Sequence, residues 1–130
     1  MYRFDMASVC IFVAEILKCL RAVHRTGYVH ADLKPDNLVF GAGNAFEALQ
    51  TLHLVDFGLS TKFLDKKINH ASLSHSQGSS GTKYYMSRNT HIGFTKSRRD
   101  DIESLAYIAI ELAKGKLPWN KREYNHMTES

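Results

Sequence analysis

His30-Ala31-Asp32-Leu33-Lys34-Pro35-Asp36-Asn37 is a polar loop set between apolar pairs, and nineteen residues after Asn37 comes Asp56-Phe57-Gly58. Tyr28-Val29 before the loop and Leu38 to Phe40 after it read as short strands, and Gly41-Ala42-Gly43-Asn44 is a turn-forming break. Thr51 to Val55 reads as a third strand, so a small sheet is expected whose loops hold charged residues at the strand ends. On the N-terminal side, Val9, Phe12, Val13, Ile16, Leu17, Leu20 and Val23 recur at three- and four-residue steps. That period predicts a helix from about Met6 to Arg25 with one buried stripe, Asp5 as its N-cap and Gly27 as its stop.

Downstream, Thr61 to Thr95 shows no sustained period, and Ser74-His75-Ser76-Gln77-Gly78-Ser79-Ser80-Gly81 is rich in turn formers and hydroxyls. It reads as a long functional loop, partly mobile. Helical spacing returns between about Asp100 and Lys114, with apolar residues on enough faces to bury most of the helix circumference. Gly115 ends it, Leu117-Pro118-Trp119 starts a turn, and the tail to Ser130 is uninformative. No internal repeat or domain boundary is visible.

At 130 residues and 44% hydrophobic content, the chain is one domain or part of one. Its longest apolar stretch, Val9 to Val23, is broken by Glu15, Lys18 and Arg21, which excludes a bilayer-spanning helix of about 20 apolar residues. No basic leader or small-residue cleavage site marks a signal peptide. Cys10 and Cys19 are about 13 Å apart along a helix, too far for a disulfide, and two reduced thiols suit an intracellular chain, cytoplasmic or nuclear. The net charge of +4 is uneven: Lys66, Lys67, Lys83, Arg88, Lys96, Arg98 and Arg99 fall in a segment without Asp or Glu. Such a field attracts nucleic acid, acidic lipid or acidic and phosphorylated protein, and charge alone does not choose among them. Nucleic acid is disfavoured because no known motif interleaves surface aromatics with these cations.

The two polar runs carry the chemistry. His, Asp and Asn sit at the fixed offsets of the kinase pattern H-R-D-x-x-x-x-N, with Ala31 in place of the arginine, and an Asp-Phe-Gly follows. Phosphoryl transfer needs an aligned nucleophile and neutralised phosphate charge more than covalent help from protein. Asp32 is the carboxylate that orients the hydroxyl and accepts its proton, and Lys34 is a cation for the transferring group. Asn37 and Asp56 are the hard oxygen ligands that Mg2+ prefers, alongside ATP. His30 is read as a structural hydrogen-bonding residue, and Asp36 is given no role.

The sequence resembles the casein kinase I superfamily, which includes the vaccinia-related and tau-tubulin kinases. The resemblance rests on Tyr28 to Asn37, Leu54 to Leu59, Gly81-Thr82-Lys83-Tyr84-Tyr85, Ser87-Arg88-Asn89-Thr90-His91, Ser97 to Leu105 and Leu117-Pro118-Trp119. Ser87-Arg88-Asn89 matches the family's Ser-x-Asn where most kinases have Ala-Pro-Glu. The resemblance implies an α+β, protein kinase-like fold: the mainly α-helical C-terminal lobe with small β-hairpins, without the N-terminal lobe. Residues 1–130 are then a partial kinase domain with an activation segment at about 56–91. Asp101 is implied as an anchor of the catalytic loop, and Lys83, Lys96, Arg98 and Arg99 as contacts for acidic or phosphorylated protein substrates.

Three departures qualify that likeness. Ala31 removes the arginine that pairs with an activation-loop phosphate, so phosphate on Ser72, Ser74, Ser76, Ser79 or Ser80 is not expected to be an obligatory on-switch. Tyr84 stands where relatives have an arginine, and Lys83 faces the other way if that segment is a strand. No glycine-rich loop, strand lysine or helix glutamate occurs between Met1 and the catalytic loop, so the 130 residues alone are expected to be inactive. The competing expectation is a pseudokinase-like module that binds protein partners without catalysis.

Overall fold

In a computed structural model, the structure describes residues 3–75 and 83–119. Helix α1 runs Met6–Arg25 and has the bounds its apolar period predicts. Val9, Phe12, Ile16 and Leu20 form its buried stripe. Asp5 caps it by accepting from the Ser8 backbone N–H and the Ser8 hydroxyl, both at 2.9 Å. Gly27 follows at φ +88, a conformation that would strain a side chain, and its carbonyl accepts from Phe63 N at 3.0 Å. Asp5→Ala is expected to cost about 1 kcal/mol in chemical denaturation. An unchanged midpoint would show that packing alone sets this helix start.

The strands do not merge into one sheet. Strand β1 (Tyr28–Val29) pairs antiparallel with β4 (Thr61–Lys62), while β2 (Leu38–Val39) pairs antiparallel with β3 (His53–Leu54). The partner of Tyr28–Val29 lies in the segment expected to be loop, because a two-residue strand is too short to show a period. That segment also holds isolated bridges, Leu64 with His70 and His75 with Phe94. The third strand is shorter than Thr51 to Val55, since helix α2 (Ala45–Gln50) takes the residues before it. Its signal was present as a capping box: Asn44 Oδ1 accepts from Glu47 N at 3.0 Å, and Glu47 Oε2 accepts from Asn44 N at 3.1 Å. Gly41 permits the close return, because a Cβ there would come within 1.7 Å of Thr51 Oγ1.

Helix α3 is the short Arg88–His91, and α4 runs Arg98–Lys114, ending on Gly115 in the left-handed region at φ +81. Most of the α4 circumference was expected to be buried, and it is not. Its buried residues are Asp100, Asp101, Ser104, Leu105 and Ile108, while Ile102 is 44% exposed and Ile110 39%. The buried side is thus chosen by polar anchoring as well as by hydropathy. A second correction concerns residues 83–85, which form a 3-10 turn rather than a strand and bury both Tyr84 and Tyr85.

The core lies where α1 crosses α4: Ile16, Leu20, Leu105 and Ile108 pack with Leu33, Leu38, Tyr84, Tyr85 and Leu117. Trp119 closes this corner by donating from Nε1 to the Tyr84 carbonyl at 3.0 Å. The fold is therefore helix-dominated α+β with two small ribbons, and the loop between β1 and β2 rests on the α1–α4 crossing. Among the described residues no helix is long and apolar enough to cross a membrane.

Candidate active site

The loop after β1 is held from below by one carboxylate. Asp101, 2% exposed in the first turn of α4, accepts from His30 N through Oδ2 and from Ala31 N through Oδ1, each at 2.9 Å. His24, in the last turns of α1, donates from Nε2 to the same Oδ2 at 2.8 Å. A carboxylate can serve several donors at once, and it satisfies the buried His30 N–H and the part-buried Ala31 N–H here.

His30 links the two polar runs. Its ring is fully buried, accepts from Asp32 N at Nδ1 (3.2 Å) and donates from Nε2 to the Val55 carbonyl (2.9 Å). The Phe57 ring packs edge-on against it with centroids 4.9 Å apart, and the Ser60 hydroxyl donates to the His30 carbonyl at 3.2 Å. Asp56 therefore follows directly on an atom fixed by the catalytic loop. A second tie, Val55 N to the Asn37 carbonyl at 2.9 Å, reinforces this.

Within the loop, Pro35 starts a 3-10 turn, Pro35–Asn37, for which its ring presets the backbone. The turn swings Asn37 back so that its amide nitrogen donates to the Asp32 carbonyl at 2.8 Å and approaches Asp32 Oδ2 at 3.4 Å. Lys34 Nζ lies 3.6 Å from Asp32 Oδ2. Asp56 is exposed and sits at φ +58, with its Oδ1 accepting from Gly58 N at 3.2 Å. Asp and Asn are the non-glycine residues that best tolerate this region.

The donor set suits Mg2+. With its amide nitrogen turned to Asp32, Asn37 presents a carbonyl oxygen, and Asp56 presents an exposed carboxylate. Two hard oxygens are the protein share suited to an ion that is also held by substrate phosphates.

The basic residues separate. Lys96 does not lie on a solvated face: its Nζ donates to the Ala31 carbonyl at 3.0 Å. Burial pulls its ammonium below the usual lysine range, and Asp32, Asp101 and Asp100 oppose that pull. Arg98 stacks over the Phe63 ring at 4.7 Å, and Arg99 Nη2 reaches the Thr95 carbonyl at 3.5 Å and Asp100 Oδ2 at 3.9 Å. Lys83 starts the 3-10 turn, and its carbonyl accepts from His91 Nε2 at 3.0 Å. Ser76, Ser79, Ser80, Gly81 and Thr82 lie outside the described residues.

Four supporting residues had no assigned role in the sequence: His24, Ser87, Thr90 and Asp100. Buried Ser87 caps α3 by accepting from Thr90 N (3.2 Å) and donates to Asp100 Oδ1 (2.6 Å), while Asp100 Oδ2 accepts from Ser97 N (2.6 Å). The Ser87-x-x-Thr90 and Ser97-x-x-Asp100 spacings are cap-like signals that point to the α3 and α4 starts. Nothing local marks His24, whose partner is 77 positions away.

The protein kinase domain family model matches residues 2–130 of this chain. A probable casein kinase I homolog of Encephalitozoon cuniculi (strain GB-M1) is 40% identical over 116 residues, covering 89% of this chain and 35% of the relative. Casein kinase I homolog 2 of Schizosaccharomyces pombe (strain 972 / ATCC 24843) is 35% identical over 135 residues, covering 98% of this chain and 31% of the relative. The chain thus spans about a third of the length of these curated relatives. With a catalytic-loop geometry built on the same residues as the family pattern and a match along nearly its whole length, this chain belongs to the protein kinase domain family and is casein kinase I-like within it.

Proposed function

We propose that residues 1–130 are the catalytic-loop and activation-segment part of a serine/threonine kinase that transfers the ATP gamma-phosphate to protein hydroxyls. The observation that carries this reading is the convergence of Lys34 and Asn37 on Asp32, with Asp56 tied alongside through the His30–Val55 hydrogen bond. In this reading Asp32 orients the substrate hydroxyl and accepts its proton. The Lys34 ammonium faces the charge of the transferring group, and its place two residues after the base favours serine and threonine. Asn37 and Asp56 hold Mg2+, which when bound offsets the phosphate charge and orients its oxygens. His30 and Asp101 keep these groups in place, and Lys83, Arg98 and Arg99 supply positive charge for acidic or phosphorylated protein. The exposed Cys10 and half-buried Cys19, both free, fit a reducing intracellular compartment.

The test is phosphate incorporation from ATP into serine, threonine and tyrosine peptides by the intact kinase that carries this segment. Transfer to serine and threonine is expected, abolished by EDTA and restored by Mg2+, with Asp56→Asn raising the Mg2+ needed for half-maximal rate. No transfer by the intact protein, with partner binding retained, would instead establish a non-catalytic module.

A further inference from the structure

Lys96 stands apart from the other cations of the basic segment, because it is committed to the backbone of the catalytic loop. Ala31 has φ +71, in the left-handed region that is unfavourable for a residue with a Cβ. Such a conformation persists only where the surroundings over-determine it. Here both of its polar backbone groups are gripped: the N–H donates to Asp101 Oδ1 at 2.9 Å, and the carbonyl accepts from Lys96 Nζ at 3.0 Å. Asp101 lies in the first turn of α4 and Lys96 just before that helix, so the two grips come from one short segment.

The second grip bears directly on the base. The Ala31 carbonyl and the Asp32 N–H belong to one planar peptide unit. Its oxygen is fixed by Lys96 and its N–H by His30 Nδ1 at 3.2 Å. Holding both ends of a plane fixes the rotation about it, and that rotation sets the direction in which the Asp32 Cα–Cβ bond leaves the chain. Lys96, Asp32, Asp100, Asp101 and Ser104 line one small, partly open cavity of about 20 Å³, so the ammonium lies beside the carboxylate it helps to aim. A charge-assisted bond there is stronger than a neutral one and is screened less than one on the open surface.

We propose that Lys96 is a positioning residue for Asp32, a cation brought from 65 residues downstream to the one position of the His-x-Asp motif, Ala31, that lacks its usual arginine. The assignment rests on the kinase reading above and reassigns Lys96 from substrate binding to alignment of the base. A lysine bound to substrate acts on KM, whereas one that aims the base acts on kcat.

The test compares the intact kinase with Lys96→Met, which keeps the aliphatic stem and removes donor and charge, and with Lys96→Arg, which restores both. Two readouts are taken: kcat and KM for a protein substrate, and amide hydrogen exchange over residues 30–33. Lys96→Met is expected to lower kcat about 10- to 100-fold with KM unchanged, the effect of a small misalignment at the reacting centre. It should also speed exchange at Ala31 and Asp32, and Lys96→Arg should recover most of both. A raised KM at unchanged kcat, or exchange equal to wild type, overturns the proposal. If Lys96→Met does not fold, Lys96→Gln, which keeps a neutral donor, is judged by the same readouts. An intact wild-type protein that transfers no phosphate refutes the functional reading, and the exchange comparison then decides the role of Lys96 by itself.

Discussion

Asp32→Asn is expected to lower kcat by about 100- to 10,000-fold, the range for loss of a positioned general base, in a protein that keeps its fold and its affinity for ATP. Asparagine matches the carboxylate in shape, and the strong local bond is untouched, since it runs from the Asn37 amide to the Asp32 backbone carbonyl at 2.8 Å. The proposed acceptor for the hydroxyl proton is removed, and the contacts of that carboxylate with Lys34 at 3.6 Å and the Asn37 amide at 3.4 Å, both long, are weakened. The loss therefore falls on the chemical step. Single-turnover phosphotransfer and a melting curve on the same preparation check the pair of expectations. An undiminished single-turnover rate removes Asp32 from the base position, and a collapsed melting curve makes its role structural.

How far such a site can be read in advance depends on where its parts lie along the chain. Asp32, Lys34 and Asn37 fall within six residues, so the proposed reacting groups could be named from type and spacing before any fold was known, and the structure brings them together. Helix α1 was legible from Met6 to Arg25 for the same reason: its apolar step, its Asp5 cap and its Gly27 stop are all local. Helix α2 was hidden because Gly41 to Asn44 reads as a turn, although Asn44 opens a capping box with Glu47. Strand pairing failed where it is non-local, since Tyr28 meets Lys62 across β2, α2 and β3, and neither strand has a period to show. The supporting groups were the least legible. Lys96, Asp100 and His24 are polar residues whose default reading is solvation, and only partners 65, 13 and 77 positions away place them inside. Sequence thus conveys the candidate reacting groups far better than the groups that hold them still.

The holding groups also carry the largest stability effect. Asp101→Ala is expected to cost about 3–5 kcal/mol, the range for breaking a buried charged network by removing one partner. Three donors converge on this carboxylate: His30 N, Ala31 N and His24 Nε2. Truncation leaves the buried His30 N–H and the part-buried Ala31 N–H without this acceptor, each costing up to about 1–3 kcal/mol, and it frees the His24 ring from the α1–α4 contact. Against a typical total of about 5–15 kcal/mol, such a loss leaves a marginal protein, and Ala31 loses one of the two grips on its left-handed backbone. Asp101→Asn should recover only part of the difference. Its amide keeps one oxygen, but its nitrogen must then face a donor, His30 N–H or Ala31 N–H, where no hydrogen bond forms. Urea denaturation of the two variants of the intact kinase orders them: wild type most stable, then Asn, then Ala. A midpoint for Asp101→Ala close to wild type would mean that water or a shifted loop satisfies both N–H groups. The catalytic loop would then be held chiefly by the His30–Val55 bond and by Lys96, and Asp101 would lose its standing as the anchor.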